Sequence, residues 1–250
     1  MTSLRFTSRT TSDGVVERDF TVGEVPGVLW SPAAGPDHAP VVLMGHGGGL
    51  HKKTPAQRAR AVDTVTRWGF HVVAIDAPGH GERPLSAEDE QVRDEFKQAM
   101  KTGDIERFRK VSVGYALSLA ERAVPEWQRT LDAVQELPEI GTEAPIGYGG
   151  GISLGTAIGI PLVAADSRIS AAIFGGGFFA YEEELAAARH ITVPVLFLLP
   201  WDDQYVDRQD GLELFDAFAS KEKTLHANPG DHRTIRWHGV DDGFLARHLG

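Results

Sequence analysis

The sequence predicts an α/β fold built on a mostly parallel central sheet, and three observations carry that prediction. Short runs that are apolar on both faces recur along the chain, stretches with apolar residues at helical spacing separate them, and a β-rich segment comes first. Runs of the first kind suit a parallel strand covered by helices on each side. Strand–helix alternation then puts helices on both faces of the sheet. About eight strands are expected, in a single domain spanning 1–250, since 250 residues can bury a substantial core.

Taken in order, the first 40 residues read as a short β meander. Val15 to Val22 alternates loosely, Gly27-Val28-Leu29-Trp30 follows a Pro-Gly turn, and Pro32 to Pro40 is loop. Val41-Val42-Leu43-Met44 is the first doubly apolar run. Pro55 to Trp68 then places Ala59, Val62, Val65 and Trp68 on one side of a helix. His71 to Ile75 is the next run. About seventy residues separate Ile75 from Ile146, far more than a crossover helix needs. Within them, 84–115 is dense in charge, with Val92, Phe96, Ile105 and Phe108 as sparse apolar anchors. That stretch reads as a small helical lid inserted over one end of the sheet, because insertions at strand C-terminal ends often cover a site. The plainer alternative is a surface helix pair with no role. Trp127, Leu131 and Val134 mark a further helix, Pro145 to Tyr148 a strand, and Leu154 to Ala165 an apolar helix in which Pro161 predicts a kink or break. Ile169 to Phe174, Val195 to Leu199 and Lys223 to His226 complete the strands, with Leu212, Phe215 and Phe218 on the helix before the last.

Composition removes several classes of function. With no Cys there is no disulfide scaffold, thiolate-ligated metal or thiol nucleophile. No apolar run is long enough to span a bilayer, and the first residues do not resemble a signal peptide, so a cytoplasmic protein without a membrane partner is expected. Basic residues number 25 against 35 acidic, and a net charge of −10 argues against a nucleic-acid partner. The ten His raise the question of a metal, with His226, Asp231 and His232 the densest cluster. No H-E-x-x-H pattern or clear ligand set accompanies them, so none is expected.

Gly147-Tyr148-Gly149-Gly150-Gly151-Ile152-Ser153-Leu154-Gly155-Thr156 is the most informative segment. A strand runs into glycines, then Ser153, then an apolar helix, and G-x-S-x-G sits inside it as Gly151 to Gly155. A strand-to-helix turn this tight forces Ser153 into a strained backbone conformation, and the helix N-terminus favours developing negative charge. A Gly-rich turn of this kind also suits a phosphate. Against that, it is not in the first βα unit, and no G-K-[ST] follows. Met44-Gly45-His46-Gly47-Gly48-Gly49-Leu50 follows the first buried run, and its glycines free backbone N–H groups to face a developing oxyanion. The plain alternative for it is a flexible loop.

Two later segments supply an acid and a base. Pro200-Trp201-Asp202-Asp203-Gln204-Tyr205-Val206 and Ala227-Asn228-Pro229-Gly230-Asp231-His232 each place a titratable residue just past a strand C-terminus. Open α/β sheets bind ligands at that edge. In such a triad His232 takes the Ser153 proton, and an Asp, 202 or 203, fixes the imidazole tautomer.

With these residues in view the chain resembles the serine hydrolases of the α/β-hydrolase superfamily over nearly its whole length. The resemblance rests on His46-Gly47-Gly48-Gly49, Asp76-Ala77-Pro78-Gly79-His80-Gly81, Gly151 to Gly155, Trp201-Asp202-Asp203 and Pro229-Gly230-Asp231-His232. It implies the α/β-hydrolase fold, an esterase-like activity without a cofactor, and an oxyanion hole formed by the N–H of Leu154 and of Gly48, with Gly49 as the alternative donor. Members often read G-x-x-D-x-x-V at the acid loop. Here Pro200 replaces the Gly, with Asp203 and Val206 in register, which favours Asp203 as the acid and leaves Asp202 to cap a turn. Asp231 before His232 is a second departure, since small residues are common there.

The expected activity is therefore hydrolysis of a small or medium carboxylic ester by Ser153, Asp203 and His232 through an acyl-enzyme, with Trp201, Phe178 and Gly49 as pocket candidates. His46 and His80 are expected in hydrogen-bonded structural roles. A lactone, amide or carbon–carbon substrate on the same triad, a non-catalytic ligand receptor, and a nucleotide-binding protein are the competing readings. Oligomeric state is open, a homodimer included.

Overall fold

Ten strands form one sheet in the computed structural model, which describes residues 3–36, 38–150, 153–177, 179–203, 207–231 and 234–250. The first four are β1 (Leu4–Phe6), β2 (Thr10–Ser12), β3 (Val15–Val22) and β4 (Val25–Pro32). Then β5 (Val41–Leu43), α1 (Pro55–Trp68) and β6 (His71–Ile75) lead to two long helices, α2 (Ala87–Thr102) and α3 (Ile105–Gln135). Next come β7 (Ile146–Gly149), α4 (Leu154–Ala165), β8 (Ile169–Gly175), α5 (Glu182–Ala188) and β9 (Val195–Pro200). The chain closes with α6 (Arg208–Ala217), β10 (Lys223–Asn228) and α7 (Phe244–Leu249). In space the order is β1-β3-β4-β6-β5-β7-β8-β9-β10, with β2 paired to β3. Pairing is antiparallel up to β4/β6 and parallel from β6 onward.

The sheet has two strands more than the sequence predicts. The extra pair, β1 and β2, are mostly exposed three-residue strands. Segments of three residues are too short for an alternation to be read, and both pair with β3.

Period-two packing explains the doubly apolar runs. Val41, Leu43, Val73, Ile75, Phe174, Val195 and Phe197 enter the core that holds α3, α4, α5 and α6. Their neighbours Val42, Met44, Val72, Ala74, Ala171 and Leu196 enter a second core with Ala61 and Val65 of α1 and Phe244 and Leu249 of α7. Most inner strands thus feed both cores, as alternating side chains require, while β7 presents Gly147 and Gly149 to the second.

Caps mark the helix ends. Thr54 accepts from the Gln57 N–H at 3.3 Å ahead of Pro55, and Gly69 ends α1 at φ 71. Ser86 and Asp89 form a capping box at the start of α2, which Gly103 ends at φ 66. Asp104 then caps α3, which passes Pro125 and runs to Gln135. Likewise α4 continues past Pro161 to Ala165 instead of ending there. Nearly every α4 residue is buried, so packing on all sides outweighs one missing backbone bond.

Buried Glu184 on α5 sets a pH dependence. Its Oε2 has no hydrogen-bond partner among the described residues, and burial raises its pKa from 4.5 to about 8. The folded carboxyl keeps a proton that the unfolded chain releases above pH 4.5. Its penalty is therefore absent below pH 4.5 and grows to about 3 kcal/mol near pH 7. Glu184→Gln removes that penalty and brings an amide N–H to bury, at a cost of about 1–2 kcal/mol. Thermal unfolding of the variant is expected several degrees higher at pH 8 and no higher at pH 4, so the two Tm–pH curves converge or cross. Parallel curves would contradict this account.

Candidate active site

Ser153 sits between β7 and α4 at φ 60 and ψ −108, one of three non-glycine residues with positive φ among those described. Holding an L-residue there costs on the order of 1–3 kcal/mol. The turn is fixed on both sides. The Ser153 N–H donates to Gly176 O at 3.2 Å, and Ser153 O accepts from the Thr156 and Ala157 N–H groups at 3.0 and 2.9 Å. Thr156 Oγ1 donates to Gly175 O at 2.6 Å, which ties the start of α4 to the end of β8. Leu154 opens α4, and N–H groups at that position have no intrahelical acceptor. Gly151 and Ile152 lie outside the described residues.

Close approach, more than turn freedom, explains the surrounding glycines. Tyr148 is fully buried, and its hydroxyl donates to Gly155 O at 2.6 Å. A Cβ on Gly45 would lie 2.5 Å from the phenol oxygen, and one on Gly150 or Gly159 would lie 2.5 or 2.2 Å from the ring. At Gly155 a Cβ would stand 3.4 Å from His46 O, so α4 nearly touches the glycine loop after β5.

That loop is anchored by His46. Its Nε2 accepts from the Ala77 N–H at 3.1 Å, which leaves Nδ1 to donate to Gly47 O at 2.9 Å. Burial is the largest cause holding its pKa down at about 4, so the ring is neutral at physiological pH. Gln57 of α1 adds hydrogen bonds to Met44 O and Gly45 O at 3.2 and 2.9 Å. Gly48 and Gly49 are exposed at the apex, and Gly49 has φ +73. The second loop histidine, His80, donates from Nδ1 to Pro78 O at 2.9 Å, and its ring lies 5.4 Å from that of His46.

The loops after β9 and β10 are stitched together. The Trp201 N–H donates to Asn228 O at 2.9 Å, and the Asp202 N–H to Gly230 O at 3.3 Å. The Asp202 carboxylate accepts the Gly230 N–H at 3.2 Å, so Asp202 is committed to the turn and Asp203 follows it. Asp231 accepts from the Thr234 N–H at 3.1 Å and from its hydroxyl at 2.8 Å. Trp201 is partly exposed, with the Arg208 guanidinium 4.5 Å above its ring.

Parallel register brings these loops to one edge of the sheet. Gly149 pairs with Ile173, Gly175 with Leu198, and Pro200 with Asn228. Ser153, Leu154, Gly48, Gly49, Trp201 and Asp203 therefore all follow strand carboxyl ends. His232 and Phe178 lie outside the described residues.

The same architecture occurs in solved structures. A cold-adapted esterase from an Arctic intertidal metagenomic library, in its PEG-bound complex, is 33% identical over 97% of this chain and 98% of its own, with a TM-score of 0.75. The native structure of a cold-adapted esterase from an Arctic intertidal metagenomic library matches at 30% identity over 98% of this chain and 100% of its own, with a TM-score of 0.71. The chain belongs to the esterases of the α/β-hydrolase superfamily. A dienelactone hydrolase from Anabaena variabilis, 21% identical over 94% of each chain with a TM-score of 0.59, shares the fold. No family model and no curated protein matches the chain.

The hydrolase also holds features that its sequence pattern did not reveal. Lys52, Gln57, Thr156 and Tyr148 brace the loops around the site, yet none stands at a spacing that marks it, and the Asp76 motif gives no sign of the pairing with Lys52. Among the described residues no group of three His, Asp or Glu side chains is arranged to hold a metal, and no helix is long and apolar enough to cross a membrane.

Proposed function

We propose that this hydrolase cleaves a small or medium carboxylic ester through an acyl-enzyme on Ser153. The observation that carries the reading is the strained Ser153 at the start of α4, held beside the glycine loop that His46 anchors. Ser153 Oγ attacks the acyl carbonyl while His232 takes its proton, and Asp203 orients the imidazole. The N–H groups of Leu154 and Gly48 stabilise the tetrahedral oxyanion. His232 then protonates the leaving alkoxide, and the acyl-enzyme is hydrolysed by water that His232 activates. The esterases among the structural relatives support an ester over other acyl substrates.

The test is a panel of p-nitrophenyl esters of rising chain length beside a lactone and an anilide, together with fluorophosphonate labelling read by mass spectrometry. Ester turnover with one label per chain on the Ser153 peptide supports the reading. A lactone or anilide preference would redirect the substrate class, and labelling elsewhere would remove the nucleophile.

The segment 84–115 is proposed as a lid. A small apolar cluster of Ala99, Phe108 and Phe179, with Phe96 and Val113, joins α2 and α3 to the loop after β8. Arg109 latches the same place, 4.3 Å above the Phe179 ring and 3.0 Å from Asp210, which also accepts the Ala180 N–H at 3.1 Å. Arg109→Ala removes a partly exposed ion pair and a cation–π contact, together about 1–2 kcal/mol. Little change is expected on an acetate ester, with a several-fold change in the octanoate-to-acetate ratio of kcat/KM. An unchanged ratio in the folded variant would count against a lid.

A further inference from the structure

Lys52 and Asp76 form a buried ion pair that no step of the proposed reaction uses. Lys52 is 2% exposed and Asp76 0%. Lys52 engages both carboxylate oxygens, its backbone N–H reaching Oδ1 at 2.8 Å and its Nζ reaching Oδ2 at 2.8 Å. Nζ also donates to Glu82 Oε1, and the Glu82 N–H donates to Asp76 Oδ2 at 3.0 Å. Gly81, at φ +58, lets the chain wrap the carboxylate, because a Cβ there would lie 2.2 Å from Oδ2. Burial works to raise the Asp76 pKa, but these donors outweigh it and hold the carboxyl below its ordinary value.

The position of the pair is what makes it informative. His46 and Lys52 flank the glycine loop, and they attach to the adjacent residues Ala77 and Asp76. Between them, a Cβ on Gly48 or Gly49 would meet no atom within 4 Å, so no tight packing fixes the apex. The Leu50 N–H closes a turn on Gly47 O at 3.2 Å within the loop. Immediately beyond it, Lys53 reaches Glu17 at 2.7 Å and Asp19 at 2.9 Å on β3, which stops residue 52 from drifting along the chain. The apex thus takes its placement from its two ends.

We infer that Lys52, paired with Asp76, is a positioning residue that sets where the Gly48 N–H stands relative to Ser153. The inference rests on the reading of Ser153 and Gly48 given above. An oxyanion donor acts mainly on the transition state, so displacing it lowers kcat and spares KM. Losing one donor outright costs on the order of 10²–10³ in rate, and a displacement somewhat less.

The experiment compares wild type with Lys52→Met/Asp76→Asn, which removes both buried charges together, and with Glu82→Gln, which keeps the buried pair and weakens only its partly exposed arm. Arg168→Met serves as a remote control, since Arg168 binds Asp166 and Asp132 at the opposite end of the strands. Each folded protein is measured for kcat and KM on p-nitrophenyl butyrate and for inhibition by a boronic acid, whose tetrahedral adduct occupies the oxyanion site. A kcat roughly 10–100-fold lower in the double variant is expected, with KM within about threefold and boronate affinity falling in step with kcat/KM. Glu82→Gln is expected to show the same pattern at a few-fold, and Arg168→Met to change melting temperature only. Wild-type kcat in Glu82→Gln and in any folded double variant overturns the inference, as does an equal kcat loss in Arg168→Met. Ser153→Ala, run alongside, separates the two claims: if it keeps full turnover, the reading of the site has failed and the role of Lys52 falls with it.

Discussion

Ser153→Ala is expected to lower kcat on p-nitrophenyl butyrate by roughly 10⁴–10⁶-fold, about 5–8 kcal/mol of transition-state stabilisation. What remains comes from the oxyanion donors and substrate binding, which do not need the nucleophile. The loss is not a folding effect, because alanine carries the same Cβ and keeps the strain at φ 60. Its melting temperature should therefore stay close to that of wild type. Ser153→Gly provides the complementary measurement. Glycine relieves the positive φ at some cost in unfolded-chain entropy, so that variant should be equally inactive yet more stable by about 1 kcal/mol. A wild-type rate in a folded Ser153→Ala protein would remove Ser153 from the mechanism.

The second large effect separates two adjacent carboxylates. Asp203→Asn is expected to cost on the order of 10⁴ in kcat, because an amide leaves the base in the wrong tautomer. Asp202→Asn keeps a side-chain oxygen able to accept the Gly230 N–H and should lose less than about tenfold. The comparison is made by kcat/KM across pH 5–9, with circular dichroism to confirm folding. A reversed order would assign the acid to Asp202 and the turn to its neighbour.

The parallel half of the sheet was legible because each inner strand has to satisfy two cores. Val72, Val73, Ala74 and Ile75 can all be apolar only where alternate side chains meet helices on opposite faces. The glycine-flanked Ser153 was legible for a related reason, since few residue types tolerate so tight a strand-to-helix turn. In the sequence only register with a neighbouring Val favours Asp203 over Asp202, and the Asp202 bond to Gly230 depends on two loops meeting across β9 and β10. Lys52 was out of reach altogether. In the sequence it is one of two consecutive lysines before a helix, and only the fold turns one toward Asp76 and the other toward β3. The two extra strands were hidden because a three-residue strand is too short to show a pattern and depends on the edge it joins. Pro161 does not break α4, since tertiary packing overrides the local preference for a helix end.

The Tyr148 ring has a consequence for how such a site can change. Gly45 belongs to the glycine loop after β5, Gly150 to the turn before Ser153, and Gly159 to the helix behind it, and all three approach the same phenol. The ring therefore acts as a spacer between the glycine loop and the turn that carries Ser153. Enlarging any one glycine drives the ring into the others, while shrinking the ring alone leaves a void that three separate backbones border. These four positions form a coupled set, in which substitutions tolerated together are forbidden one at a time. Changing the spacing between the glycine loop and the Ser153 turn through this ring is therefore expected to take paired substitutions.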